Sequence, residues 1–214
     1  MPNRYLSRNI AVLTSGGIDS DILLSVALKK YDVVYPVYVR SGLIWEKAEL
    51  FWLKKYLQAI CVPSLKPLTI LEMPVCDLDS KGWAVTGRKT PGFHSRDEEV
   101  YLPGRNLMLL AKAATFCALR KIPTIAIGSL SANPFPDATR QFFAMMAKTA
   151  SQALEFPVRI DAPFSKLKKK DLLKKAKDLP LHLAFSCLSP KGTQPCHRCN
   201  KCAEKEKLLR PKKR

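Results

Sequence analysis

Residues 15–20 read Ser-Gly-Gly-Ile-Asp-Ser, set between an apolar run at residues 10–13 and a second at residues 22–28. The first run, Ile10-Ala11-Val12-Leu13, is short and continuous, the pattern of a strand buried on both faces; the second has the composition of a helix. Two adjacent glycines at the join let the backbone reverse tightly and approach a ligand closely. The first N–H groups of a helix have no partner within it, and the helix dipole adds positive potential at that end. Strand, glycine turn and helix start together make a cradle for an anion such as phosphate. Ser15 and Ser20 add hydroxyl donors, and Asp19 can hold a cation or cap the helix.

The loop lacks the Gly-Lys-Ser/Thr ending of a Walker A motif, which would set a lysine on the terminal phosphates. Asp19-Ser20 stand there instead. The hexapeptide resembles the SGGxDS pyrophosphate loop of the N-type ATP pyrophosphatases. That resemblance implies cleavage of ATP between its α- and β-phosphates and transfer of AMP to a substrate. The alternative is a tight turn into a helix with no ligand.

At 214 residues, 47% of them hydrophobic, the chain can bury one core with a small appended module. No apolar run has the length of a membrane span, and Met1-Pro2-Asn3-Arg4 leads into no signal-peptide apolar region, so a cytoplasmic location is expected. Seven cysteines there argue for reduced thiols or a metal rather than disulfides. The net charge is +18, and residues 161–214 hold sixteen basic against five acidic residues. Such a surface favours anionic ligands, ATP and nucleic acid among them. Yet Lys168, Lys169, Lys170, Lys174, Lys175 and Lys177 surround Leu172, Leu173, Ala176 and Leu179, the pattern of a surface helix with a solvated face. The tail at residues 210–214 is expected to be disordered.

Strand and helix patterns alternate. Further strands are expected at residues 33–39, within 65–75, at 122–128 and at 158–160, with helices at 44–61, from about 104, and at 140–154. Residues 77–100 show no period and are expected to form a long surface loop, and residues 131–139 a shorter polar one. The alternation implies a Rossmann-like α/β fold: a five-stranded parallel sheet with helices on both faces and a small C-terminal zinc-binding subdomain. Residues 1–165 would form the ATP-binding domain, and residues 166–214 the helical four-cysteine subdomain packed on the same unit. Ligands of such sheets sit beyond the carboxyl ends of the strands. The Ser15 loop, Arg40, the loop before Gly104 and the 131–139 loop are expected to gather there.

Cys187, Cys196, Cys199 and Cys202 form a second signal. Two successive C-x-x-C spacings share Cys199, and four thiolates can enclose a tetrahedral Zn2+ in a closed, structural site. Few apolar residues lie nearby, so a metal could fold what a core cannot. An iron–sulfur cluster is the rival. His197 is expected to be a bystander. Cys61 and Cys117 lie on apolar helical stripes and are expected in the core; Cys76 stands alone.

Together with Leu102-Pro103-Gly104-Arg105-Asn106-Leu107, Ile127-Gly128 and Pro136-Asp137, these motifs resemble the 7-cyano-7-deazaguanine synthases of queuosine precursor synthesis, over most of the chain and in order. The resemblance implies an adenine nucleotide alpha hydrolase-like fold and an ATP-dependent ligase. Such a ligase adenylates 7-carboxy-7-deazaguanine, lets ammonia displace AMP to give an amide, and adenylates again to give the nitrile. It also implies Mg2+ with ATP, one structural zinc on Cys187, Cys196, Cys199 and Cys202, and a homodimer. The expected nucleotide site is Leu13, Thr14, Ser15, Gly16, Gly17, Ile18, Asp19, Ser20, Asp21 and Arg40. The substrate site is Arg105, Asn106, Asp137 and Arg140, with Asp19 and Arg105 as the catalytic residues. Arg105 would meet phosphate or carboxylate, Asn106 orient a helix start or read an amide edge, and Asp137 accept from a guanine-like edge. Their alternatives are helix capping for Arg105 and Asn106 and an Asx-turn for Asp137.

Two segments depart from the family. Its Tyr-Gly-Gln-Arg-His is replaced here by Tyr38-Val39-Arg40-Ser41-Gly42, with Glu49-Leu50 further on, and its Pro-Asp-Cys-Arg by Pro136-Asp137-Ala138-Thr139-Arg140. Both lie where substrate would bind. A paralogue that activates another carboxylate, a tRNA-modifying ATP pyrophosphatase, and a non-enzymatic zinc module for nucleic acid are the alternatives; nucleic acid is the less favoured partner and no membrane is expected.

Overall fold

The computed structural model of the protein describes residues 8–176 and 178–209. Five parallel strands, β1 (Asn9–Leu13), β2 (Val33–Arg40), β3 (Thr69–Glu72), β4 (Thr124–Ala126) and β5 (Arg159–Asp161), lie in the order β3-β2-β1-β4-β5. Their register sets Leu13 beside Val37, Val12 beside Ala126, and Arg40 beside Glu72. The chain leaves β1 toward β2 on one side and returns to β4 on the other. The crevice beyond the carboxyl ends of β1 and β4 is thus the switch point where parallel sheets take ligands.

Helices α1 (Ile18–Leu28), α2 (Glu46–Ala59), α4 (Arg105–Leu119) and α5 (Arg140–Ala153) are the long ones among the described residues; α3 (Trp83–Thr86), α6 (Lys169–Leu173) and the ten-residue α7 (Asn200–Leu209) are shorter. The strands alternate between two cores. Ala11, Leu13, Val37 and Val39 meet Leu110, Ala114 and Cys117 of α4 and Phe143 of α5. Ile10, Val12 and Val34 meet Ile22 and Leu24 of α1, Tyr56 of α2, and Phe164, Leu172 and Ala176. β1 is buried on both faces, which is why its apolar run is unbroken. A third cluster joins Leu43, Trp45, Ala48 and Ala84 to Phe185, Cys187 and Cys199.

The structure refines several expectations. The first helix begins at Ile18, inside the glycine motif, rather than at residue 22. Residues 77–100 hold α3 and a 3-10 turn, Asp97–Val100, and an antiparallel bridge ties Gly92 to Cys199. The lysine run forms only the short α6 and a 3-10 turn, Lys174–Ala176; Lys168, Lys170, Lys174 and Lys175 are exposed, as a solvated face requires, but Lys169 is half-buried. Cys117 is buried in the core, whereas Cys61 is exposed: α2 ends at Ala59, so the stripe that would have buried Cys61 stops short of it. Lys177 and the 210–214 tail lie outside the described residues, as do residues 1–7. No described helix is long and apolar enough to cross a membrane.

Leu172 is fully buried against the α1 face of the sheet. Leu172→Ala should lower unfolding stability by about 2–5 kcal/mol through lost burial and the cavity left behind. A urea titration of the variant reads that loss.

Candidate active site

The cradle forms as its sequence implies, and the structure explains how it is held open. Thr14 N–H donates to Val37 O at 2.9 Å, keeping the chain in the sheet one residue past β1. Gly16 turns with φ +76°, and a Cβ there would stand 3.2 Å from the Leu53 Cβ, so glycine is needed for conformation and space alike. Ser20 Oγ donates to Gly17 O at 2.9 Å and accepts from Ser15 N–H at 3.3 Å, which closes the loop on itself. Phe185 N–H donates to Gly16 O at 2.6 Å and pins the turn from outside. Among the described residues, the N–H groups of Ile18, Asp19 and Ser20 find no protein acceptor. Gly128 backs this helix start so closely that a Cβ would lie 3.4 Å from the Asp19 carbonyl group.

The loop opens on a cavity of about 520 Å3 at the carboxyl edge of the sheet. Leu13, Thr14, Ser15, Gly17, Ile18, Asp19 and Ser20 line it together with Arg105, Asn106 and Asp137. Gly16 and Asp21 are buried and stand outside its wall. Arg40 and Arg140 are not among its lining residues either. Arg40 pairs with Glu72 at 3.1 Å, its neighbour across β2 and β3, and lies 3.9 Å from Glu46. Arg140 is exposed at the first turn of α5, whose start is capped by Thr139 Oγ1 accepting from Phe142 N–H at 3.1 Å.

An ion chain that the sequence motifs do not contain lines one wall. Lys169 Nζ lies 2.8 Å from Asp19 Oδ2 and 2.9 Å from Glu204 Oε1; Glu204 Oε2 meets Lys201 at 3.0 Å, and Lys201 lies 3.8 Å from Asp97. Burial pushes the Asp19 carboxyl above the usual carboxylate range, against the pull of Lys169. Burial alone would lower the Lys169 pKa, but the Asp19 and Glu204 carboxylates more than offset it. Asp19 Oδ1 and both Asp21 carboxylate oxygens are buried without a hydrogen-bond partner, and burial raises Asp21 well above its ordinary value. Nothing in the run Lys168-Lys169-Lys170 marks the middle lysine. Only the packing of α6 against α1 and α7 singles it out.

The α2 and α4 residues near the cavity carry different chemistry. Asn106 N–H donates to Asp137 Oδ2 at 2.9 Å, and its amide nitrogen donates to Asp137 O at 3.1 Å. The carboxylate therefore caps α4 from another loop, satisfying an orphan donor at its start. Arg105 stands 5.9 Å from the Trp45 ring, and its Nε is buried without a partner. Tyr101 and Phe135, both lining the cavity, sit 4.9 Å apart. Tyr38 O–H donates to Glu49 Oε2 at 2.7 Å. Burial raises Glu49 to about 7, with Arg105 pulling it down.

The four cysteine ligand atoms lie within 4.8 Å of one another. Cys196 and Cys202 sulfurs are 3.9 Å apart and those of Cys187 and Cys199 4.0 Å. Four sulfurs at zinc–thiolate bond lengths of about 2.3 Å would stand roughly 3.8 Å apart, so the cluster fits a tetrahedral ion. Leu188, Cys196 and Arg198 N–H groups donate to Cys199, Cys187 and Cys196 sulfurs respectively, as thiolate charge requires. His197 is exposed and outside the cluster. Cys202 shares α7 with Lys201, Glu204 and Lys205, so one helix carries a member of the cysteine cluster and the cavity's ionic wall.

The family model described as queuosine biosynthesis protein QueC matches residues 9–212. The chain is 31% identical over 205 residues to 7-cyano-7-deazaguanine synthase 1 of Desulfitobacterium hafniense (strain Y51), with 94% of this chain and 90% of that one covered. It is 32% identical over 217 residues to 7-cyano-7-deazaguanine synthase of Sulfurihydrogenibium sp. (strain YO3AOP1), covering 94% of each. Among solved structures, U34-tRNA thiolase NcsA from Methanococcus maripaludis superposes with a TM-score of 0.54 at 13% identity, over 95% of this chain and 66% of that one. A predicted subunit of tRNA methyltransferase from Methanocaldococcus jannaschii gives 0.51 at 15% identity, over 79% and 74%. At such identities the two structures share the fold alone.

Native mass spectrometry should find one metal ion on the wild-type chain and none on Cys199→Ala. The variant should also weaken nucleotide binding about tenfold or more, since α7 loses its anchor beside Lys169.

Proposed function

Since the chain belongs to the QueC family of queuosine biosynthesis proteins, an enzyme family, we propose that it is an ATP-dependent ligase converting 7-carboxy-7-deazaguanine and ammonia to 7-cyano-7-deazaguanine. The observation that carries this reading is one cavity lined both by an open anion cradle and by Arg105, whose Nε finds no partner among the described residues.

A carboxylate is a poor electrophile because its leaving group would be an oxide. Transfer of AMP to it supplies a stable leaving group. The Ile18, Asp19 and Ser20 amides would receive the departing pyrophosphate, and the Lys169 ammonium beside Asp19 would balance its charge. Arg105 would hold the acid in line with the α-phosphorus. Ammonia then displaces AMP to give the amide, and a second adenylation followed by loss of AMP gives the nitrile.

The orphaned Asp19 Oδ1 fits a divalent cation travelling with ATP, which we assign to Mg2+; such an ion supplies charge neutralisation on the phosphates. We assign the four-sulfur cluster to zinc. All four ligand positions come from protein, so the ion's task is to fold residues 166–214 into a subdomain on the 1–165 domain.

Incubation with ATP, 7-carboxy-7-deazaguanine and ammonia should yield AMP, pyrophosphate and a product with the mass of the nitrile. Turnover of another carboxylate but not of this acid would move the chain to a paralogous substrate, and no AMP with any acid would end the ligase reading. Asp19→Ala and Lys169→Ala should each cost about 100-fold or more in kcat, as loss of charge stabilisation in a dry site does.

A further inference from the structure

Tyr38 and Glu49 lie outside the phosphate turn, and they hold a costly arrangement. Glu49 is 7% exposed and Tyr38 3%, and the Tyr38 hydroxyl donates to Glu49 Oε2 at 2.7 Å. Burying a carboxylate is expensive, and anchoring a tyrosine does not require one. Tyr56, on the same helix as Glu49, is fully buried and donates to the Asp21 backbone carbonyl at 2.9 Å instead.

Tyr38 also stands where the chemistry would occur. It follows Val37, the register partner of Leu13, and so sits level with Thr14 at the entrance to the phosphate turn. Tyr38 is among the residues that line the cavity; Glu49, its hydroxyl's acceptor, is not. The charged and titratable groups facing Glu49 are Tyr38 from β2, Arg105 from α4 and Glu46 from α2.

Nitrile formation has a demand that adenylation of the acid lacks. A carboxylate attacks phosphorus without losing a proton. An amide must shed both nitrogen-bound protons to become a nitrile, inside a cavity whose lining carboxylates are already engaged: Asp19 and Glu204 with Lys169, Asp97 with Lys201, and Asp137 with the Asn106 N–H.

We propose that Tyr38 and Glu49 form a proton relay that removes a nitrogen-bound proton during nitrile formation. The Tyr38 oxygen takes the proton from the adenylated imidate as its own proton passes to the Glu49 carboxylate. The N–H electron pair becomes the third carbon–nitrogen bond, and the carbon–oxygen bond breaks with its electrons leaving on AMP. Glu49 ends neutral and returns its proton to water between turnovers. A carboxyl held to about 7 is matched to that exchange near neutral pH.

This inference rests on the ligase reading, and two assays separate their fates. Acid-dependent exchange of pyrophosphate into ATP reads adenylation, which uses no relay. Conversion of the primary amide of the same deazaguanine with ATP, without ammonia, reads nitrile formation free of the ammonium equilibrium. Tyr38→Phe and Glu49→Gln should keep exchange within about threefold of wild type and lose nitrile formation by about 100-fold or more. Wild-type nitrile formation should fall about tenfold per pH unit below about 7, where Glu49 gains its proton, and the residual Glu49→Gln rate should not. Either variant making nitrile within about threefold of wild type on an unchanged pH profile overturns the relay. So does a matched loss of exchange and nitrile formation, which marks the pair as purely architectural. Wild type without acid-dependent exchange removes the ligase reading and the relay with it.

Discussion

The N–H groups of Ile18, Asp19 and Ser20 at the start of α1, unpaired among the described residues, are the feature around which the site is arranged. Unsatisfied donors are tolerated where solvent or ligand reaches them, so everything near them must pack closely without covering them. Gly16 lets Leu53 of α2 press against the turn, and Gly128 lets the end of β4 press against Asp19. The strand order then sets this helix start at the switch point of the sheet.

The cavity is also a place where charge has been taken out of water. Asp19, Lys169, Glu204 and Lys201 form a continuous chain rather than isolated ions, which is how buried charge is made bearable. Behind Tyr38, burial raises the proton affinity of Glu49, with the field of Arg105 and the Tyr38 phenol pulling against it.

The four-cysteine cluster reaches the site through α7. Gly92 bridges to Cys199, Asn200 N–H donates to Pro91 O, and Trp52 Nε1–H donates to Thr193 O at 2.7 Å. These bonds join the 77–100 loop, α2 and the cysteine segment into one support, with Lys201, Glu204 and Lys205 projecting from it into the cavity. An ion held by the four sulfurs would fix the helix that carries Lys201, Glu204 and Lys205 to the cavity wall.

Local pattern carried a large share of this in the chain itself. The glycine turn, the buried β1, the βα alternation and the cysteine spacing all depend on residues close in sequence, and each stands in the structure where its periodicity or spacing put it. What spacing cannot carry is the meeting of distant side chains. Lys169 reaches Asp19 across 150 residues, and the lysines on either side of it are solvated. Arg40 and Arg140 have the right chemistry for an anionic site, but a cross-strand carboxylate takes the first and a helix start on the surface carries the second. Tyr38 becomes significant only because the pleat of β2 turns it toward α2, where Glu49 waits. Motifs were settled by local backbone requirements; the choice among chemically equivalent residues was left to packing.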